Sequence, residues 1–171
     1  MTSIEAVQIT GGASANTIDA SAYSGQSTLN GGGGNDILIG GTGVDFMAGG
    51  TGADIFKFTV LPTSLTATTA DHITDFTSSQ NDSIQISRAA LGVASTTKVS
   101  FTATSTTQSL TQALSTSSLI VLDTATGNLW YNRDGAAFTG GSGAGTGGIL
   151  AVLDKTNGVV PTIAASNITF I

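Results

Sequence analysis

Three aspartates, Asp36, Asp45 and Asp54, recur at a spacing of nine residues, each at the sixth place of a frame that opens on two glycines: GGGGNDILI, GGTGVDFMA and GGTGADIFK, residues 31 to 57. A carboxylate held at one fixed distance behind a glycine turn suits the binding of a hard cation. Glycine at the first, second and fourth places can take positive φ and turn backbone carbonyl oxygens toward one point, to which the aspartate adds charged oxygen. Ca2+ takes roughly six to eight oxygens at about 2.3–2.6 Å, and one turn offers about half of that set. A second turn has to complete it.

The apolar residues say how the turns meet. Ile9, Ile18, Leu29, Leu38, Met47 and Phe56 all occupy the large apolar place of the frame. A turn of about six residues followed by a strand of about three sends successive strands into opposite sheets, so two repeats make one coil that rises by ~4.8 Å. Turns two repeats apart then stack on the same edge. The turn 31–36 meets the turn 49–54, where Asp36 and Asp54 with carbonyls around Gly31, Gly33, Gly50 and Gly52 can enclose one ion. The turn 40–45, with Asp45 and carbonyls near Gly40 and Thr42, has no intact partner above it, because FTVLPT (58–63) breaks the frame. Its missing half must come from the C-terminal cap or from water.

Upstream the frame fades. GGASANTID (11–19) keeps the glycine pair and Ile18 but has Asn16 in the aspartate place, and ASAYSGQSTLN (20–30) carries two extra residues. The expected fold is all-β: a short parallel two-sheet solenoid, or β-roll, over 1–58, with degenerate rungs at 2–30 and intact repeats at 31–57. After Lys57 the glycines thin out, and alternating segments follow at 72–76, 83–87, 98–104, 118–123, 128–133 and 148–154. These predict an antiparallel β capping subdomain over 59–171. LIVLDTATGNLWYN (119–132) reads as a hairpin, short helices are predicted near 87–91 and 106–115, and GGSGAGTGG (140–148) reads as a flexible loop.

The totals bound what such a chain can do. It has 171 residues, 23 glycines, 9 % charged residues and 40 % hydrophobic ones, enough apolar content for one folded domain. Ten of its eleven acidic residues are Asp, and the net charge is −6 with five basic residues, so the electrostatic footprint for nucleic acid or anionic lipid is missing. There is no cysteine to staple the fold or ligate metal. The first ten residues, MTSIEAVQIT, lack the basic and apolar regions of a secretory signal, and no apolar run reaches the ~18 residues of a membrane span. Export would have to use another route.

Catalytic constellations are not evident. GAGTGG (143–148) matches a dinucleotide fingerprint by spacing alone, with no strand leading directly into it and a strand rather than a helix after it. The single histidine, His72, reads as a solvated or hydrogen-bonded strand residue, and Asp71 and Asp75, four apart on a strand, would lie ~13 Å apart, too far for acid–base cooperation. Asp123 and Asp134 read as turn formers, and Trp130 and Tyr131 as core.

Residues 11–57 resemble the calcium-binding C-terminal region of RTX proteins, the haemolysin-type repeat family exported by type I secretion systems. The resemblance extends through ADIFKF (53–58) and DHITDFTSSQNDSIQIS (71–87), which are similar to the post-repeat signature of serralysin-type proteases, among others. It implies that an aspartate after the roll, Asp71 first and Asp75 second, closes a last calcium site. PTIAASNITFI (161–171) resembles the uncleaved export region at the family's C-terminus, although SNITF stands where an Asp-Phe pair is common. The implied function is a Ca2+-binding, Ca2+-dependent folding and type I secretion module, without catalysis of its own, on a secreted or cell-surface protein, with roughly two to four ions bound. Its partners would be the type I secretion apparatus and, at a surface, itself or neighbouring proteins. Two alternatives are an S-layer or adhesin assembly domain organised by Ca2+, and the tail of a secreted protease, lipase or polysaccharide-modifying enzyme.

Overall fold

The alternation of apolar places builds two facing sheets. The computed structural model describes residues 4–61, 66–94, 100–105, 120–132 and 147–171. Its strands are β1 (Ala6–Thr10), β2 (Thr17–Asp19), β3 (Gln26–Gly33), β4 (Ile37–Ile39), β5 (Asp45–Thr51), β6 (Ile55–Phe58), β7 (Asp71–Ile73), β8 (Ser83–Ile86), β9 (Phe101–Thr104), β10 (Ile120–Asp123), β11 (Asn128–Asn132), β12 (Gly147–Leu153) and β13 (Ile168–Phe170). One sheet runs β1-β3-β5-β7-β12-β11-β10-β9 and the other β13-β8-β6-β4-β2. Through β8, odd strands lie in the first sheet and even strands in the second, all paired parallel. Ser27, in a degenerate rung, lies beside Asp45, and within the intact repeats Ile37 lies beside Ile55, which is the expected coil.

That register stacks the apolar places into two inner columns. Ile9, Leu29, Met47, Ile73 and Leu153 line one sheet. Ile18, Leu38, Phe56, Ile84 and Ile168 line the other. From Leu29 to Ile73 and from Leu38 to Ile84 these side chains have 0 % exposure, while Ile9, on the outermost strand, retains 37 %. Each full burial of this kind contributes about 1.5–3 kcal/mol, so the columns are a main cohesive element of a roll whose glycine turns bury little.

The parallel ladders do not stop where the repeats do. The segments 72–76 and 83–87, expected as antiparallel cap strands, supply β7 and β8, which stack parallel on β5 and β6. Ile73 and Ile84 keep the inner column in phase, and longer connections between rungs cost little once both ends are held by burial. The antiparallel part of the cap is β10, β11 and β12; β12 returns parallel onto β7, and β9 lies parallel on β10. The predicted hairpin is β10–β11, its turn closed by the Ala125 N–H and the Thr126 hydroxyl donating to the Asp123 carboxylate. The helix expected near 87–91 is a single turn, α1 (Arg88–Leu91), with the Ser87 hydroxyl accepting the Ala90 N–H. The second expected helix (106–115), Asp134 and residues 140–146 of the glycine loop lie outside the described residues.

Candidate metal site

The turns 31–36 and 49–54 lie on one edge of the roll, stacked so closely that β3 and β5 keep pairing into the glycines, Gly32 beside Gly50 and Gly33 beside Thr51. Gly32, Gly34, Gly50 and Gly52 have φ of +100°, +96°, +93° and +131°. Positive φ thus falls at the second and fourth places of the frame. The first place needs glycine for room: a Cβ on Gly31 would stand 2.6 Å from the Gly49 carbonyl oxygen and run into Asp36 Oδ2, and one on Gly49 would run into Asp54 Oδ2. A Cβ on Gly50 or on Gly52 would likewise run into the carbonyl oxygen of Gly32 or of Gly34.

A ladder of carboxylates runs along this edge. The Asn16 N–H donates to Asp36 Oδ1 (2.7 Å), the Asp36 N–H to Asp54 Oδ1 (2.8 Å), and the Asp54 N–H to Asp82 Oδ1 (3.0 Å). Asp36 and Asp54 are fully buried, yet Oδ2 of each has no hydrogen-bond partner. A buried charged oxygen without a partner is costly unless a cation or proton meets it. Burial holds the Asp54 carboxyl above its ordinary range; the Asp36 N–H opposes this, and the charges of Asp36 and Asp75 reinforce it. Burial raises Asp82 in the same way, against the N–H groups of Asp54 and Thr77. Among the described residues no three His, Cys, Asp or Glu side chains gather as a metal cluster. This edge would hold an ion differently, between two carboxylates and a frame of backbone carbonyls, which are the hard oxygens Ca2+ prefers. The residues present fit that ion.

The turn 40–45 lies on the opposite edge and closes on itself. Asp45 Oδ1 accepts the Ser27 N–H (2.9 Å) and hydroxyl (2.6 Å), and Oδ2 accepts the Gly41 N–H (2.6 Å). The Asp45 N–H in turn donates to Asp71 Oδ1 at 2.9 Å. Neither Gly41 nor Gly43 takes a left-handed φ. The Thr42 N–H is engaged by the Tyr23 carbonyl (3.3 Å). Burial pushes the Asp71 carboxyl up to about 8, with the Asp45 charge adding and the Asp45 N–H opposing.

The two post-repeat aspartates therefore serve different edges. Asp71 opens β7 beside Asp45, whereas Asp75 accepts the Gly49 and Gly50 N–H groups (both 2.8 Å) above the turn 49–54. In the same loop Gln80 Oε1 accepts the Gly52 N–H (2.8 Å), so side chains of 74–82 replace the backbone of a further glycine turn. Sequence reasoning passed over Gln80 and Asp82. The signal for Asp82 was present: NDSIQI (81–86) repeats the Asn-Asp and following apolar place of NDILI (35–39). His72 is hydrogen-bonded to Asp154 through Nδ1 (2.7 Å) and stacked on Phe46 (4.8 Å between centroids), where β7 joins roll to cap.

A profile of the peptidase M10 serralysin C-terminal family matches residues 8–135. The chain belongs to this family. The match takes in the roll, the loop 74–82 and much of the cap. This serralysin C-terminal domain, an RTX repeat region, is also similar to a solved structure, that of the AlgE6R3 subunit from the Azotobacter vinelandii mannuronan C5-epimerase. Identity is 23 %, over 96 % of this chain and 77 % of that one, with a TM-score of 0.56. At that identity the likeness establishes the β-roll fold and nothing of the activity. No curated protein matches the chain in a sequence search. Among the described residues no helix is long and apolar enough to cross a membrane.

Proposed function

We propose that this domain binds Ca2+ and folds in response to it, as a non-catalytic module of a secreted protein exported by a type I system. The observation that carries the reading is the pair of buried, unpartnered oxygens, Asp36 Oδ2 and Asp54 Oδ2, between stacked left-handed glycine turns. Bound Ca2+ supplies the positive charge these carboxylates lack. The chain supplies the rest: Asp36 and Asp54 present oxygen, N–H groups of Asn16 and Asp36 orient the two carboxylates, and glycines leave space for the turns to meet.

The consequence for folding follows from charge and entropy. At submicromolar Ca2+ the stacked carboxylates repel one another and the glycines retain their freedom, so the roll is disordered and can thread an exporter. Outside the cell, at ~100 times the dissociation constant, each ion adds about 2.7 kcal/mol to the folded state. Circular dichroism during a Ca2+ titration tests this. The expected result is a β spectrum that appears with Ca2+ and collapses with chelator; a spectrum indifferent to both sinks the proposal.

A second reading completes the first. The family is named for the C-terminal part of a peptidase, and the structural neighbour is a subunit of an epimerase, which supports a module carried by an enzyme whose catalytic domain lies elsewhere. The gene sequence upstream of Met1 decides that point.

A further inference from the structure

The repeats suggest ions on both edges, but the edges differ. We propose that cation binding is confined to the Asp36–Asp54 edge and that the turn 40–45 is a hydrogen-bonded closure that takes no ion. The inference rests on the calcium reading above and narrows it to one side of the roll.

Two independent observations support it. The first is the use of oxygen. Asp36 and Asp54 each give one carboxylate oxygen to an N–H and keep the other free, whereas both oxygens of Asp45 are engaged, by three donors from Ser27 and Gly41. An ion at Asp45 would have to compete with donors already in place. The second is the backbone. On the first edge the second and fourth glycines of each turn are left-handed, the conformation that sets their carbonyls against the stacked turn, and on the second edge Gly41 and Gly43 are not.

The cause lies in the neighbours of the turn. Below it lies the irregular segment 20–25 in place of a second glycine turn, and its Tyr23 carbonyl accepts the Thr42 N–H. Ser27, which stands beside Asp45 in the register, offers a hydroxyl where the first edge offers a second carboxylate. Above it, Asp71 comes from the start of β7 rather than from a glycine turn, and it accepts the Asp45 N–H directly.

Crystals of the unmodified chain soaked in Tb3+, which takes Ca2+ sites and scatters anomalously, decide the matter. The expected map has anomalous density between Asp36 and Asp54 and none at Asp45. Density at both edges overturns this inference and leaves the calcium reading intact; density at neither overturns both. In solution, ions per chain counted by native mass spectrometry in Ca2+ should match the unmodified value for Asp45→Asn and fall for Asp54→Asn. A lower count for a folded Asp45→Asn overturns the inference, and if that variant does not fold the crystal of the unmodified chain still answers.

Discussion

The turns 40–45 and 49–54 read GGTGVD and GGTGAD, identical except at Val44 and Ala53, and yet they adopt different backbones. One has left-handed glycines and a carboxylate oxygen left over; the other has neither. The glycine turn is permissive rather than instructive, since it allows positive φ at small cost without requiring it. What selects the conformation is the rung on either side. Over 49–54 lies the loop 74–82 and under it another glycine turn, both bonding to its N–H groups or packing on its carbonyls. Under 40–45 lies an irregular segment with two extra residues and a serine.

The contrast can be broken most severely at Asp54. Asp54→Ala removes a ligand of the proposed ion, and loss of that ion would forfeit about 2.7 kcal/mol at ~100 times the dissociation constant. It also leaves the buried Asp36 N–H without its acceptor, at a cost of about 1–3 kcal/mol. Denaturant melts should show most of the Ca2+-dependent stabilisation gone. Gly50→Ala comes next: its φ of +93° and the Gly32 carbonyl in its path predict a loss of about 1–3 kcal/mol together with weaker Ca2+ affinity, read by calorimetric titration.

On the other edge, Asp45→Asn turns an amide toward the Gly41 N–H, or toward Ser27, where a carboxylate oxygen had accepted. A loss of about 1–3 kcal/mol is expected, and the same loss at low and saturating Ca2+, as measured by urea unfolding at any Ca2+ level where both chains fold. Asp71 adds a pH signature. Its carboxyl sits at about 8 in the fold against an ordinary 3.8, so between those values the folded chain keeps a proton the unfolded chain has lost, and stability falls as pH rises. Asp71→Asn is free of that penalty and should gain thermal stability relative to the unmodified chain as pH rises from about 4 to about 8 at fixed Ca2+. A difference that stays flat across this window would mean the pair is not buried as described. The smallest effect is expected at Gly12→Ala, in the degenerate turn 11–16 that stacks under the turn 31–36. No atom lies closer than 3.9 Å to the added Cβ, and the melting temperature should shift by no more than about 0.5 kcal/mol permits.

Much of this was legible in the residues. The nine-residue frame gave the two inner columns, because an apolar place that alternates between sheets can only be buried one way. It also gave the stacking of 31–36 on 49–54, because that register follows from the coil. The continuation of the roll through β7 and β8 was harder to see, since the connections lengthen and the glycines vanish while Asp71, Ile73, Asp82 and Ile84 keep the phase. The use of Gln80 and Asp75 as substitutes for a glycine turn has no periodic signal at all; it depends on how the loop 74–82 folds over its neighbour.

The sequence by itself determined a parallel roll, its inner apolar columns and the presence of aspartates at turns able to meet a cation, because these follow from period and residue type. The tertiary structure alone decided which edge keeps oxygens free, because that depends on the donors each carboxylate finds in adjacent rungs. The frame cannot tell these cases apart: Gly41 donates to Asp45 of its own turn, whereas Gly50, at the same place of the next repeat, donates to Asp75 from the loop above and leaves Asp54 Oδ2 free.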